Sequence, residues 1–422
     1  MDKLQSKLIE YHEMLDLIRV RRNTDFNVET LKNALKVSRT TADRFVNELL
    51  EEKIVKKEDR RYIIDGNIAL FLGVSIGSEH TRIHLINLNF DSLPLNDVIK
   101  KYPCLSGIET FGKFVVDEST DNGFCFKTLS AEGDNAFSQV QCLVSKIVDA
   151  FLRQAEQSQL DTLTPFPLAG IGIAVTGPVN YTEAEWCSAP EHLTKIKNIS
   201  LAELIGYDNL KKAGNLGIFL SLDNNAKTAM ISEYQYLLEQ ESGDFDKDIA
   251  LLYIGSGIGS SAVLRKTLLR GSRNLSGEIG FLPALPARIK IDAGKFNQSA
   301  LQETVDELIR SLQSLGTEEK VKNYFYVLAY LCNVINCVLG IDRVILVGHS
   351  IRQHDEIIAA LLEKRMEYTV ASTQHFCRPE KGRGIGGTAA IGAAIEAYMS
   401  MCHFNASSPD ERTNLAKDIC WA

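Results

Sequence analysis

The chain has 422 residues, 45% hydrophobic and 24% charged, a composition that fits two to three globular domains with substantial cores. No apolar run reaches the roughly 18 residues of a membrane-spanning helix. The charged, amphipathic start MDKLQSKLIEYHEML has no signal-peptide core, so the sequence predicts a cytoplasmic protein with no membrane partner. The net charge of −8 excludes a body that binds nucleic acid nonspecifically. Residues 1–66 hold 14 Lys+Arg against 13 Asp+Glu, so the rest carries −9 and any DNA contact must come from a local basic surface at the N-terminus. Nine scattered cysteines without a CxxC spacing read as free thiols. Cys332 and Cys337 lie about 140° apart on a helix, which argues against a shared face, and both read as core thiols.

In chain order, residues 4–22 form a helical pattern that fits either the first helix of a small domain or a dimerisation element. VETLKNAL places Val28, Leu31 and Leu35 at helical spacing. After a Val37-Ser38 turn, Ser38 is a candidate cap for a helix over 39–52, packing through Ala42, Phe45, Val46, Leu49 and Leu50. The start of that helix presents Ser38, Arg39, Thr40, Thr41 and Arg44, residue types that suit a recognition helix in a major groove. Residues 53–64 read as two short strands around a charged turn, with Lys56, Lys57, Arg60 and Arg61 placed to meet phosphate. Residues 1–66 are therefore expected to be a winged helix-turn-helix; a helical cap or dimerisation module is the alternative.

From residue 67 the sequence reads as α/β. ALFLGVSIG (69–77), LAGIGIAVTGPVN (168–180), GIFLSL (217–222), IALLYI (249–254) and RVILVG (343–348) are strands, most of them ending in glycine or polar turns. Such ends gather ligand-binding loops at one edge of a sheet. Residues 86–136 read as extended segments with loops, and helices are expected near 318–340 and from Gly387. Gly255, Gly257 and Gly259 form a GxGxG whose backbone could approach a phosphate or sugar closely, or could be a tight β-turn. The expected divisions are a first lobe over 67–200, a second over 201–400 and a polar tail over 401–422.

Five segments together resemble the ROK family, named for repressors, open reading frames and kinases. They are GIGIAVTGPVN, SAPEHL, LDNNAKTAMISEY, the long GSGIGSSAVLRKTLLRGSRNLSGEIGF and GTAAIGAA, with Gly255, Gly257, Gly259, Gly271, Gly277, Glu278 and Gly280 all in register. The resemblance runs from about residue 15 to 398. It implies an actin/hexokinase-like (ribonuclease H-like) body of two lobes around a sugar cleft, usually in a homodimer. It further implies sugar contacts at Glu278, Asn224 and Asn225, and at Glu191 or His192 in the segment where the family has asparagine.

The departures point away from catalysis. The position of the family's general base is Asn225, and an amide cannot take a proton near neutral pH. Ser75 replaces the acid of the first phosphate loop, Glu79 adds negative charge there, and His349 replaces a glycine of the adenosine loop. Phe281 stands at the position of the family's zinc histidine, and residues 282–304 contain neither Cys nor His, so no structural zinc and no cofactor are expected. The resemblance thus implies a non-enzymatic regulator that binds a double-stranded DNA operator and a sugar effector. A sugar kinase, with Asp223 as the only nearby acid, and a fold-only interaction protein are the alternatives.

Overall fold

Side-chain caps set the first helices. Asn27 Oδ1 accepts from the backbone N–H groups of Glu29 and Thr30 at 3.0 and 3.1 Å, and Ser38 Oγ accepts from that of Thr41 at 3.1 Å. Both caps satisfy donors that a first helical turn leaves open. The computed structural model describes residues 3–22, 27–59, 61–115, 122–128, 136–160, 165–188, 197–241, 247–255, 258–271, 275–281, 328, 331–341, 343–348, 378–383 and 387–404.

The N-terminal module comprises α1 (Lys3–Glu10), α2 (His12–Val20), α3 (Val28–Leu35) and α4 (Arg39–Glu51), followed by an antiparallel hairpin of β1 (Val55–Glu58) and β2 (Arg61–Ile64). The pattern over 4–22 is two helices, with Tyr11 between them. The Tyr11 hydroxyl donates to Glu48 on α4 at 2.5 Å, and Lys7 bonds the same oxygen at 3.0 Å. Ala42, Val46 and Leu49 are the buried face of α4, while Phe45 and Leu50 are only partly covered.

Among the described residues the body has two large sheets and a small three-stranded one. The first has seven strands: β3 (Leu70–Ile76), β4 (His80–Asn87), β5 (Ser92–Leu93), β6 (Phe114–Val115), β7 (Phe124–Lys127), β8 (Leu168–Val175) and, after two intervening groups, β12 (Phe219–Asn224). Its order is β12-β8-β3-β4-β7-β6, with β5 on β4. Pairing is parallel across β12-β8-β3 and antiparallel from β3 to β4 and β7. Within 86–136, expected to be extended, Leu95–Lys101 is helical (α5). A long helix, α6 (Ala136–Leu160), packs on this sheet through Val140, Val144, Ile147, Val148 and Phe151. The intervening groups are the three-stranded β9 (Val179–Asn180), β10 (Glu185–Ser188) and β11 (Lys197–Ser200), and the helices α7 (Leu201–Ile205) and α8 (Tyr207–Leu216). The boundary expected at residue 200 therefore does not divide the sheets, because β12 is an edge of the first.

The second sheet contains β13 (Ile249–Ile254), β14 (Ile258–Leu264), β15 (Thr267–Leu268), β16 (Arg343–Val347) and β17 (Arg378–Lys381), in the order β15-β14-β13-β16-β17. Between the sheets lie two mutually packed helices, α9 (Asn225–Gln240) and α10 (Thr388–Phe404); α9 touches β13 and β14, and α10 covers β3, β8 and β12. The last helix starts where expected but continues to Phe404, past the expected boundary at 400. Residues 331–339 are helical; Cys332 is buried and Cys337 exposed, which corrects the expectation of two core thiols in the way their angular separation dictates.

Glycine permits this close layering. A Cβ on Gly172 would fall on the carbonyl of Ala393, and one on Gly392 would fall on the carbonyl of Thr228. Gly172→Ala and Gly392→Ala are each expected to lower stability by about 2–3 kcal/mol in chemical denaturation. Gly214→Ala, in α8 with open space around it, is expected to gain up to about 1 kcal/mol from helix propensity. Equal behaviour of the three variants would contradict this packing.

Candidate functional site

The carboxyl ends of β3, β8 and β12 meet the start of α9, and the polar residues expected at the site converge there. Asn224 caps α9: its Oδ1 accepts from the Ala226 N–H at 2.7 Å, while its Nδ2 donates to the Gly177 carbonyl at 2.8 Å and to Glu278 Oε1 at 3.3 Å. Glu278 is placed by the turn before it. Gly277 has φ +90°, its carbonyl accepts from Ser260 N–H at 2.7 Å, and a Cβ on it would fall on the Ser260 carbonyl.

Asn225 faces inward. Its Nδ2 donates to the Ile76 carbonyl and to Thr176 Oγ1, both at 3.0 Å, and its Oδ1 accepts from the Ser75 hydroxyl at 2.9 Å. It is 4% exposed and its amide is bonded on both sides. Thr176 is fixed in turn by its own bond to the Ile76 carbonyl at 3.0 Å, and the Nε1–H of the buried Trp186 donates to the Thr176 carbonyl at 2.9 Å.

Beneath these residues lies a charge cluster that motif reading missed. Asp223 is fully buried; its Oδ1 accepts from the Asn224 N–H at 2.7 Å and its Oδ2 pairs with Arg270. Arg270 also reaches Glu396 of α10 at 3.2 Å, and its guanidinium lies 3.9 Å from the ring centroid of Tyr181. The Tyr181 hydroxyl donates to Glu396 at 2.5 Å and contacts Ser400 Oγ at 2.9 Å. Lys227, also buried, completes the group. A signal was present: Glu396 is the single acid in the otherwise apolar helix TAAIGAAIEAYMSMCHF, and a lone buried charge requires a partner.

Burial pushes the Glu278 carboxyl above its ordinary range, opposed by Lys227 and reinforced by Asp223. Burial likewise raises Glu396, against the pull of Arg270, and lowers Lys227, against Asp223 and Glu278. For Arg270, burial alone would lower the pKa, but Asp223 and Glu396 hold it above the ordinary value.

Gly255 lies in the turn joining the antiparallel β13 and β14, and Gly259 in β14 sits where a Cβ would be 3.1 Å from that of Ala226, at the start of α9. Gly257, Glu191, His192, His349 and Arg60 lie outside the described residues, as do residues 282–304.

The N-terminal surface is built separately. Ser38, Arg39, Thr40, Arg44, Lys56, Lys57 and Arg61 are exposed, and Thr41 is half-buried. Arg39 pairs loosely with Asp43 at 3.9 Å, Arg44 with Glu48 at 3.8 Å, and Lys56 with Asp65 at 3.3 Å.

Residues 140–295 match the model of the ROK family. The chain carries a ROK family domain. It is 20% identical over 285 residues to a xylose repressor of Caldicellulosiruptor bescii, an alignment that takes in 65% of this chain. The chain spans 58% of that repressor's length. In structure it resembles a ROK family transcriptional regulator described as a homologue of the Escherichia coli MLC protein, with a TM-score of 0.58 and 14% identity over 93% of this chain and 98% of that one. It also resembles a ROK family glucokinase from Streptomyces griseus, solved with glucose and AMPPNP, with a TM-score of 0.50 and 15% identity over 78% of this chain and 98% of that one. At such identities these likenesses establish the mixed α/β, actin/hexokinase-like fold of ROK proteins.

Raising the Glu278 pKa by burial has a definite sign. Its neutral form is favoured by folding, so its contribution is fully present below the unfolded value of about 4.3 and is lost as pH rises through the higher folded value. Glu278→Gln is therefore expected to match the wild type in melting temperature near about pH 4 and to exceed it near about pH 8. A variant less stable than wild type at the higher pH would contradict this account.

Proposed function

We propose that this protein is a cytoplasmic, homodimeric transcription regulator, most simply a repressor, that binds a double-stranded DNA operator through its N-terminal module and a sugar in the cleft of a body without kinase chemistry. The observation that carries this reading is the bond between Ser75 and Asn225. These are the two positions where the family resemblance implies a phosphate-loop acid and a general base. Here a hydroxyl meets an amide at 2.9 Å, and neither group accepts a proton near neutral pH. Asp223, the remaining acid in that segment, is held by Arg270 and by the Asn224 backbone, which removes it as a substitute base.

The module supports the other half. The turn between α3 and α4, the exposed Arg39, Thr40 and Arg44 at the start of α4, and the basic hairpin stand in the order of a winged helix-turn-helix, with α4 as the recognition helix. The hydroxyl-binding groups of the cleft are Glu278 and Asn224, which already bond each other and can exchange that bond for a sugar. Asn225, satisfied internally, acts in this reading as a fixed wall of the cleft.

Two measurements test it. With a duplex selected from a randomised pool against the full chain, Arg39→Ala combined with Arg44→Ala is expected to weaken binding at least about tenfold and to flatten the salt dependence by about two phosphate contacts. Unchanged affinity and salt slope would contradict the assignment of α4. In thermal-shift experiments a sugar near 100 times its dissociation constant is expected to stabilise by about 2.7 kcal/mol. Stabilisation by ATP–magnesium instead would favour the kinase.

A further inference from the structure

The N-terminal module is joined to the body through a buried cation. Arg19, on α2, is 1% exposed, and its guanidinium lies against two edge-to-face rings of the body, 3.8 Å from the centroid of Phe90 and 4.8 Å from that of Tyr398 on α10. Its Nε–H donates to the Leu88 carbonyl at 2.9 Å, and its Nη1 pairs with Asp16, one turn back on α2. The Tyr398 hydroxyl donates to the same Asp16 oxygen at 3.2 Å, so α2 and α10 share one closed cluster. A second contact lies alongside: Arg22 meets Glu239 near the end of α9 at 3.0 Å and Asp91 at 2.6 Å.

Arg19 is buried while its ion-pair partner Asp16 stays 35% exposed, and Arg19 Nη2 has no hydrogen-bond partner. α9 and α10 also reach the candidate site, α9 at its first residues and α10 through Arg270. α9 begins at Asn225 and extends for 16 residues, about 24 Å. On α10, Glu396, bound to Arg270 and through it to Asp223, is two residues from Tyr398. At Gly392 and Thr228 the two helices pack at backbone contact.

We propose that α9 and α10 form a rigid strut, clamped at the cleft by Asp223–Arg270–Glu396 and at the module by Arg19 and Arg22, through which the state of the cleft sets the orientation of the N-terminal module. As a route from effector to operator this rests on the function proposed above. As a mechanical connection it does not. A sugar that displaces Asn224 from Glu278 acts on the residue whose backbone N–H holds Asp223, and so on the first member of the clamp.

The test is hydrogen exchange on the full-length protein without DNA or sugar, which keeps the coupling separate from the function. Asp223→Asn, at the cleft end, is expected to speed exchange in residues 12–20 by about fivefold or more, a local opening, while α6 on the far side of the first sheet stays at the wild-type rate. Arg19→Met is expected to do the same, and the double variant to add little beyond either one. Should Asp223→Asn fail to fold, Glu396→Gln loosens the same clamp while keeping a neutral hydrogen bond. Faster exchange confined to the cleft, acceleration spread evenly to α6, or full additivity of the two variants would each overturn the proposal.

Discussion

Much of this molecule depends on one buried cation. Arg270 joins Asp223, at the end of β12, to Glu396, in the middle of α10. Burying three charges is expensive, and such a group persists only when its members neutralise and bond one another. By holding Asp223, Arg270 fixes where the strand ends and where Asn224 caps α9. By holding Glu396, it sets the position of α10 between the first sheet and α9. The polar rim of the cleft is therefore presented by backbone that the cluster immobilises from below.

In the proposed reading that rim carries no phosphoryl-transfer chemistry. Where the family resemblance implies acids, the chain has a serine and an asparagine bonded to each other, and Asp223 beside them is bound in an ion pair. In that reading recognition falls to Glu278 and Asn224, because gripping a hydroxyl needs donors and acceptors rather than a base. Away from the site, Arg19 against Tyr398 and Arg22 with Glu239 join the N-terminal module to α10 and α9.

Local signals made a large part of this legible in the sequence. Strand ends at glycine and polar turns, the Ser38 cap, the glycine register from Gly255 to Gly280 and the final helix depend on neighbours within a few residues, and that is the range over which sequence pattern reports. Non-local placements were not readable. β12 joins the first sheet although it lies after α7 and α8 in the chain, because sheet membership is decided by pairing with β8 and not by order. Arg270 and Glu396 are 126 residues apart, so the position of Arg270 inside the long glycine segment gave no sign of its partner. The change at Tyr11 also escaped the helical pattern, since helical backbone bonds continue on both sides of it and only its own dihedrals depart. Asn225 stands where the resemblance placed a sugar contact, yet its partners Ser75, Ile76 and Thr176 come from two other strands' ends and turn it inward.

The claim that the body senses a sugar and does not phosphorylate it is tested most directly by sugar-dependent ADP release. The full-length protein, incubated with ATP, magnesium and a panel of hexoses, pentoses and amino sugars, is expected to release ADP at the same rate with and without each sugar. ADP release that rises with one sugar, yields its phosphate ester and disappears in Asn225→Ala would contradict the account and assign the cleft to catalysis.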